Sequence, residues 1–193
     1  MKKLVGALAP LGDVEGFAEM VGNVEKDKGH QLLYGLGGSQ KPYLAAGLGT
    51  ASGGSCLYIT PDLQEAGNVY DDLVTFLSPE KVFMFPPLSI LPYDFEARSL
   101  EVASQRLQVL EHLLSEGRDV VIVAPIAALL SSLPPVTSLR GREVSLRVGD
   151  ILDREALLEK LTWLGYERLP QVEGKGQYAV RGSIIDIFSL TRD

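Results

Sequence analysis

The sequence is poor in the residue types that build disulfides and metal sites. Its 193 residues include one cysteine and two histidines. A lone thiol cannot close an internal disulfide, and neither His30 nor His112 has a partner at the spacing of a metal-ligand pair. We therefore expect Cys56 to be a small, buried apolar residue on a strand, and we expect no bound metal and no cofactor.

A long apolar run and a surplus of basic charge are also absent. No stretch approaches the roughly 18 apolar residues that a membrane span requires. The N-terminal sequence MKKLVGALAPLG is interrupted by Gly6, Pro10 and Gly12, unlike an export signal. We expect a cytoplasmic chain with no membrane contact. The formal charge is −7, with the acidic excess wholly in the first 136 residues, which disfavours general nucleic-acid binding.

In the first two thirds of the chain, apolar runs of strand length alternate with amphipathic helical stretches. This alternation predicts an α/β domain with a parallel sheet covered on both faces, spanning residues 1–134. The predicted strands are 30–36, 55–60, 82–85 and 119–124, and the predicted helices are 43–48, 63–77, 100–116 and 126–133. Asp62 stands at the N-cap position of the second helix.

The pattern changes at Pro134-Pro135. Beyond it we predict a smaller α+β module over residues 135–193, separate from the first domain. Its predicted elements are a strand at 143–148, a helix capped by Asp153 that extends to Leu164, and strands at 166–172 and 177–190. The chain stops directly after a strand, so we expect this module to be truncated at its C-terminus within a longer polypeptide.

A glycine-rich loop follows the first predicted strand, in the segment LLYGLGGSQKPYLAAGL. It departs from the phosphate-binding pattern G-x-x-x-x-G-K-[ST] at two positions. Gln40 replaces the glycine before the lysine, and Pro42 replaces the hydroxyl that would hold magnesium. No predicted strand ends in an acidic pair, so we expect no ATP hydrolysis, while weak anion binding stays open. The loop comprises Gly35, Gly37, Gly38, Ser39, Gln40, Lys41 and Pro42.

Other polar or aromatic candidates have simpler explanations. Asp94 and Glu96 form a carboxylate pair, but no nucleophile or metal ligand accompanies them. We therefore expect them to cap the following helix. Trp163 is expected to lie in the core. No residue is predicted to be catalytic.

Three segments of the first domain carry a resemblance to a known family. They are YGLGGSQKPYLAAGL, FPPLSILPYDFEARSLEVASQRLQVLEHLL and DVVIVAPIAALL. In this order and spacing they resemble the N-terminal region of the bacterial transcription-repair coupling factors (Mfd). The ending LGYERLPQVEGKGQYAVRGSIIDIF is similar to their second module, which the excision-repair subunit UvrB shares. UvrB itself has an intact P-loop and a long aromatic hairpin that clamps DNA, whereas this chain has only PPLSILPYDFEA at the position of that hairpin.

The resemblance implies a degenerate RecA-like domain like UvrB domain 1a, followed by a module like UvrB domain 2. It also implies a function: a non-catalytic region that recruits the UvrA protein in transcription-coupled nucleotide excision repair. The full-length family protein is an ATP-driven DNA translocase that meets RNA polymerase and DNA through other domains. Two alternatives stay open, an active P-loop NTPase or UvrB-like helicase subunit acting on damaged DNA, and a DNA-binding module.

The strand GQYAVRGSIIDIF carries the candidate binding residues. Alternation places Tyr178 on one face and Arg181 on the other, and Gly182 is expected to introduce a bulge. Arg168 lies on the preceding strand and is expected to stand beside this one, so that the two arginines form an exposed pair on a sheet edge or face. From the residues alone, arginines that are merely solvated are an equally good interpretation, with Tyr178 in the core, and a core position is the better interpretation of Phe188. The resemblance implies that both arginines bind UvrA, with Tyr178 and Phe188 as further candidates.

Overall fold

The computed structural model describes residues 2–27, 29–88, 97–114, 119–140 and 144–191. The chain divides into two compact units, each built from two segments of sequence. The first unit is Met1–Leu88 with Val109–Ser131, and the second is Ser89–Gln108 with Ser132–Asp193. The predicted domain limits 1–134 and 135–193 stay a prediction. The expected carboxylate pair Asp94 and Glu96 lies outside the described residues.

The first unit contains a small parallel sheet, which confirms the predicted α/β class. Its strands are β1 (Cys56–Thr60), β2 (Val82–Met84) and β3 (Val121–Pro125), in the order β1-β3-β2. The pairing β1–β3 and the pairing β2–β3 are both parallel. Strand β3 is buried along its whole length, as a central strand covered on both faces should be.

The strand predicted at 30–36 is wrong. These residues run without strand pairing on the surface, where 89% of Tyr34 is exposed. Glycines with positive φ stand at both ends, Gly29 at +72° and Gly35 at +83°, and interrupt an extended conformation. Between them, Gln31 is held to the first helix by a hydrogen bond from its side chain to the carbonyl of Met20. Contacts with the first helix therefore override the apolar pattern.

Helices pack against this sheet, but Leu57 and Ile59 of β1 are each 50% exposed, so the predicted cover on both faces is incomplete at this edge strand. The helices of the first unit are α1 (Phe17–Glu25), α2 (Gln40–Ser52), α3 (Leu63–Phe76) and α5 (Ile126–Leu129), and α4 (Ala97–Leu114) contributes its last turns. The predicted cap of α3 is confirmed, since Asp62 Oδ1 accepts a hydrogen bond from the Glu65 backbone N–H at 2.8 Å. Helix α5 ends four residues earlier than predicted. A 3-10 helix at Gly6–Asp13 precedes α1.

The N-terminal arm, residues 4–25, packs into the main apolar core of the first unit. Its buried side chains are Leu4, Leu8, Leu11, Phe17 and Val21. The approach to α2 is close at Gly47, where an added Cβ would lie 2.2 Å from Cδ1 of Leu11. Glycine at this position therefore lets the arm and the helix meet. Cys56 is half-buried at the start of β1, and burial raises the pKa of its thiol.

The second unit is α+β. It contains α6 (Val136–Leu139), α7 (Arg154–Trp163) and the strands β4 (Glu167–Arg168), β5 (Gln177–Arg181) and β6 (Ile184–Phe188), together with the first turns of α4. The sheet order is β4-β5-β6, with β4 parallel and β6 antiparallel to β5. The predicted cap of α7 is confirmed, because Asp153 Oδ1 accepts from the Ala156 N–H at 3.2 Å.

Three details of this unit correct the sequence-based expectations. The single strand predicted at 177–190 is a hairpin, because Gly182 at φ +63° turns the chain rather than forming a bulge. The strand predicted at 166–172 is only β4, since Pro170 has no N–H to donate to a sheet. Of the strand predicted at 143–148, residues 144–148 are described and form no strand.

The core of the second unit lies between α7 and one face of the sheet. Leu157, Leu161 and Tyr178 are its buried members, and Ile185 and Ile187 of β6 pack against them. Trp163 was predicted to lie in the core, but 64% of it is exposed at the end of α7. Among the residues that the structure describes, no helix has the length and apolarity to cross a membrane.

Candidate functional site

The glycine-rich loop enters α2 through a tight turn. Gly35 and Gly38 have positive φ, and the N–H groups of Gln40 and Lys41 donate to the carbonyls of Gly37 and Gly38. These two N–H groups of the first turn of α2 are therefore engaged within the loop. In a phosphate-binding loop, backbone N–H groups at the start of the helix point towards the anion.

Gln40 changes the chemistry of the loop through its side chain. Its Oε1 accepts a hydrogen bond from the Gly37 backbone N–H at 3.0 Å. Gln40 thus adds more than a Cβ at the position where the P-loop pattern has glycine: it supplies an oxygen acceptor from within the chain. The loop satisfies one of its own donors without a bound anion.

Pro42 lies in the first turn of α2 and is fully buried. A residue at this point has no helical acceptor for its N–H, so proline does not weaken the helix. The following residue, Tyr43, donates normally to the Ser39 carbonyl at 3.0 Å. The helix is intact, whereas the hydroxyl that would hold magnesium is missing. Lys41 is exposed beside it.

Where the structure describes the residues that follow β1, β2 and β3, no carboxylate pair is present. β3 ends at Pro125, and the acid nearest to the end of β1, Asp62, is engaged as the cap of α3. Within the described ranges, no group of three or more histidine, cysteine, aspartate or glutamate side chains is arranged to hold a metal ion.

The hairpin β5–β6 carries the second candidate site. Arg181 Nη2 forms an ion pair with Asp186 Oδ2 at 2.5 Å, with 61% of the arginine side chain and 38% of the aspartate side chain exposed. The register pairs Ala179 with Asp186 and Arg181 with Ile184, so the ion pair runs diagonally across the hairpin. It orients the guanidinium on the sheet face away from the α7 core.

Arg168 is exposed and stands beside β5 as predicted, but it is not aligned with Arg181. In the parallel pairing of β4 with β5, Arg168 is aligned with Tyr178. Aligned residues share a sheet face, and Tyr178 and Arg181 are three positions apart on one strand, so they lie on opposite faces. The structure therefore does not bring the two predicted arginines together on one face.

Tyr178 and Phe188 occupy different environments. Tyr178 is only 3% exposed, and its hydroxyl lies 2.9 Å from Thr162 Oγ1 of α7. It belongs to the core and fixes the sheet against the helix. Phe188 is half-buried at the end of β6, aligned with Gln177 on the same face as Arg181.

Gln177 is a structural residue that sequence reasoning missed. Its Oε1 accepts from the N–H groups of Glu173 and Gly174, at 2.9 Å and 2.8 Å, and closes the turn that leads into β5. Asp186, the partner of Arg181, was also missed. If Gly182 is treated as a hairpin turn and the alternation of side chains is restarted after it, Asp186 falls on the same sheet face as Gln177.

Comparison with known proteins relates this chain to one family. The model of the UvrB interaction domain matches residues 144–193. The transcription-repair-coupling factor of Bacillus subtilis (strain 168) is 31% identical over 179 residues, which are 93% of this chain and 15% of that protein. The chain is a homologue of the transcription-repair-coupling factors. This result confirms the resemblance that the sequence motifs indicate.

The same relationship holds in a second genus. The transcription-repair-coupling factor of Staphylococcus aureus (strain USA300) is 32% identical over 159 residues, which are 82% of this chain and 14% of that protein. The chain thus spans about 15% of the length of the curated relatives it matches. The matched interaction domain contains α7, the three-stranded sheet and the hairpin described above.

Proposed function

We propose that this chain is a non-catalytic recruitment region of a transcription-repair coupling factor, which binds UvrA through the sheet of its second unit. The homology over most of the chain and the UvrB interaction domain at 144–193 support this proposal. We infer from the same homology that residues 1–134 form a degenerate RecA-like domain and that residues 135–193 form a UvrB domain-2-like module. ATP-driven translocation and contacts with RNA polymerase and DNA belong to other regions of the longer protein.

One observation supports the non-catalytic part of the proposal above all others: the Gln40 side chain accepts the hydrogen bond of Gly37. A nucleotide phosphate would have to displace this acceptor, and the buried Pro42 provides no hydroxyl for magnesium. A titration with Mg-ATP tests this directly. We expect no binding at micromolar concentration, and micromolar affinity would favour the active-NTPase alternative.

The proposed UvrA surface lies on the hairpin. Arg181, oriented by Asp186, and the half-buried Phe188 share one sheet face and form its centre. Arginine and aromatic residues dominate the energetics of such interfaces. Arg168 would contribute from the other face at the β4 edge, and Tyr178 would act only by holding the sheet in place.

The corresponding experiment measures the affinity of the chain for purified UvrA by calorimetry. Arg181→Ala should weaken binding by about 1–2 kcal/mol, a magnitude typical of an interface arginine. Arg168→Ala should have a smaller effect because it lies on the opposite face. Arg147→Ala is the matched control, since Arg147 is also an exposed arginine of the second unit. Equal affinities for wild type, Arg181→Ala and the control would refute the site assignment.

A further inference from the structure

The end of β6 is held at several points just beyond Phe188. The Phe188 carbonyl accepts from the Gly176 N–H at 2.9 Å. Two residues later, the Leu190 N–H donates to the Tyr166 hydroxyl at 3.3 Å. These bonds fix the backbone inside the range of the matched interaction domain.

A further contact comes from a distant part of the sequence. Ser104 Oγ of α4 donates to the Leu190 carbonyl at 2.5 Å, across 86 positions of sequence. Gln108 Nε2 donates to the Thr191 carbonyl at 3.4 Å. Ser104 is only 1% exposed, so its hydroxyl is a buried donor whose hydrogen bond water cannot readily replace.

Helical spacing explains why these side chains act together. Leu100, Ser104 and Gln108 stand four positions apart on α4, so they form one stripe along the helix. Leu100 also approaches this region: a Cβ added at Gly176 would lie 4.0 Å from Cδ2 of Leu100 and 3.3 Å from Cδ2 of Leu190. All of these residues belong to the second unit.

We propose that the stripe Leu100–Ser104–Gln108 positions the end of β6, and with it Phe188, for UvrA binding. The stripe lies outside the matched domain at 144–193, so the functional binding unit is discontinuous in sequence. This inference rests on the proposed function. Its structural half, the positioning of 184–191 by α4, can be measured without UvrA.

The test compares Ser104→Ala with Ser131→Ala in the whole chain. Both changes remove a serine hydroxyl that donates to a backbone carbonyl, but Ser131 bonds to Ala128 in the first unit. Hydrogen exchange is measured by mass spectrometry for peptides that cover 184–191 and for peptides that cover β3. Affinity for UvrA is measured on the same samples.

Ser104→Ala should speed exchange at 184–191 by about fivefold, as expected for one lost hydrogen bond, and leave β3 unchanged. It should also weaken UvrA binding by a similar factor, whereas Ser131→Ala should do neither. Unchanged exchange at 184–191 would overturn the positioning role. Faster exchange with unchanged UvrA affinity would overturn its connection to binding.

Gln108→Ala is the second variant, and it decides the question if Ser104→Ala does not fold. Its weaker contact at 3.4 Å should give a smaller change in the same direction at the same peptides. An unchanged exchange rate in this variant would then refute the proposal. If wild-type chain does not bind UvrA, the proposed function fails, while the exchange data still decide whether α4 positions this segment.

Discussion

Gly47 lies where helix α2 meets the N-terminal arm, and its replacement by alanine has a calculable effect. The new Cβ would lie 2.2 Å from Cδ1 of Leu11 and 3.4 Å from Cζ of Phe17. Both side chains are buried, so relief requires a shift within the packed core. Overpacking of this kind costs about 1–3 kcal/mol. Alanine is favoured over glycine in a helix by about 1 kcal/mol, so the net loss should be ~1 kcal/mol.

A matched control separates these two contributions. Gly67 is in the interior of α3, and a Cβ added there meets nothing within 4 Å. Gly67→Ala should therefore stabilise the chain by up to about 1 kcal/mol through helix propensity alone. Urea unfolding followed by circular dichroism gives both free energies. The reasoning is refuted if Gly47→Ala is as stable as Gly67→Ala.

Three further predictions concern individual side chains. Asp62→Ala and Asp153→Ala should each lower the free energy of unfolding by about 1 kcal/mol in the same urea assay, because each removes a confirmed N-cap. Tyr178→Phe should cost about 1 kcal/mol through loss of the contact with Thr162, and Thr162→Val should add little more in the double variant. Burial raises the pKa of the Cys56 thiol, so its alkylation should remain slow at pH values where a free thiol reacts. The free energy of unfolding should also fall as pH rises through the ordinary thiol range, because the thiol of the unfolded chain ionises before that of the folded chain. Alkylation as fast as that of a free cysteine would contradict this burial.

Local chemistry made some of the fold predictable. Asp62 and Asp153 have the side chains that cap helices, and both do so. The apolar runs at β1, β2 and β3 identified three parallel strands, and the run is fully apolar at β3, the central strand, which is buried along its whole length. Each of these signals depends on a few neighbouring residues, so the sequence alone is sufficient to predict the two helix caps and the three strands.

Features that depend on distant contacts were not predictable in this way. The run at 30–36 has a strand-like composition, yet contacts between Gln31 and α1 hold it on the surface. Trp163 is at a plausible core position of α7 but is exposed, because Leu157 and Leu161 face the sheet instead. Apolar composition cannot show which of several candidate faces the fold buries.

In the candidate sites, too, some features follow from neighbouring residues and others depend on distant contacts. The sequence identified Gln40 and Pro42 as departures from a phosphate-binding loop, but only the structure shows Gln40 accepting from Gly37. Likewise, alternation separated Tyr178 from Arg181 correctly, whereas the placement of Arg168 depended on a strand register that the sequence does not encode locally. The bond from Ser104 to Leu190 joins residues 86 positions apart and had no sequence signal.

We propose that this chain binds UvrA without using a nucleotide of its own. Calorimetric titration of the purified chain with UvrA measures this binding, with Arg181→Ala titrated in parallel. We expect saturable binding by the wild-type chain and clearly weaker binding by the variant. No heat of binding from correctly folded wild-type chain would contradict it.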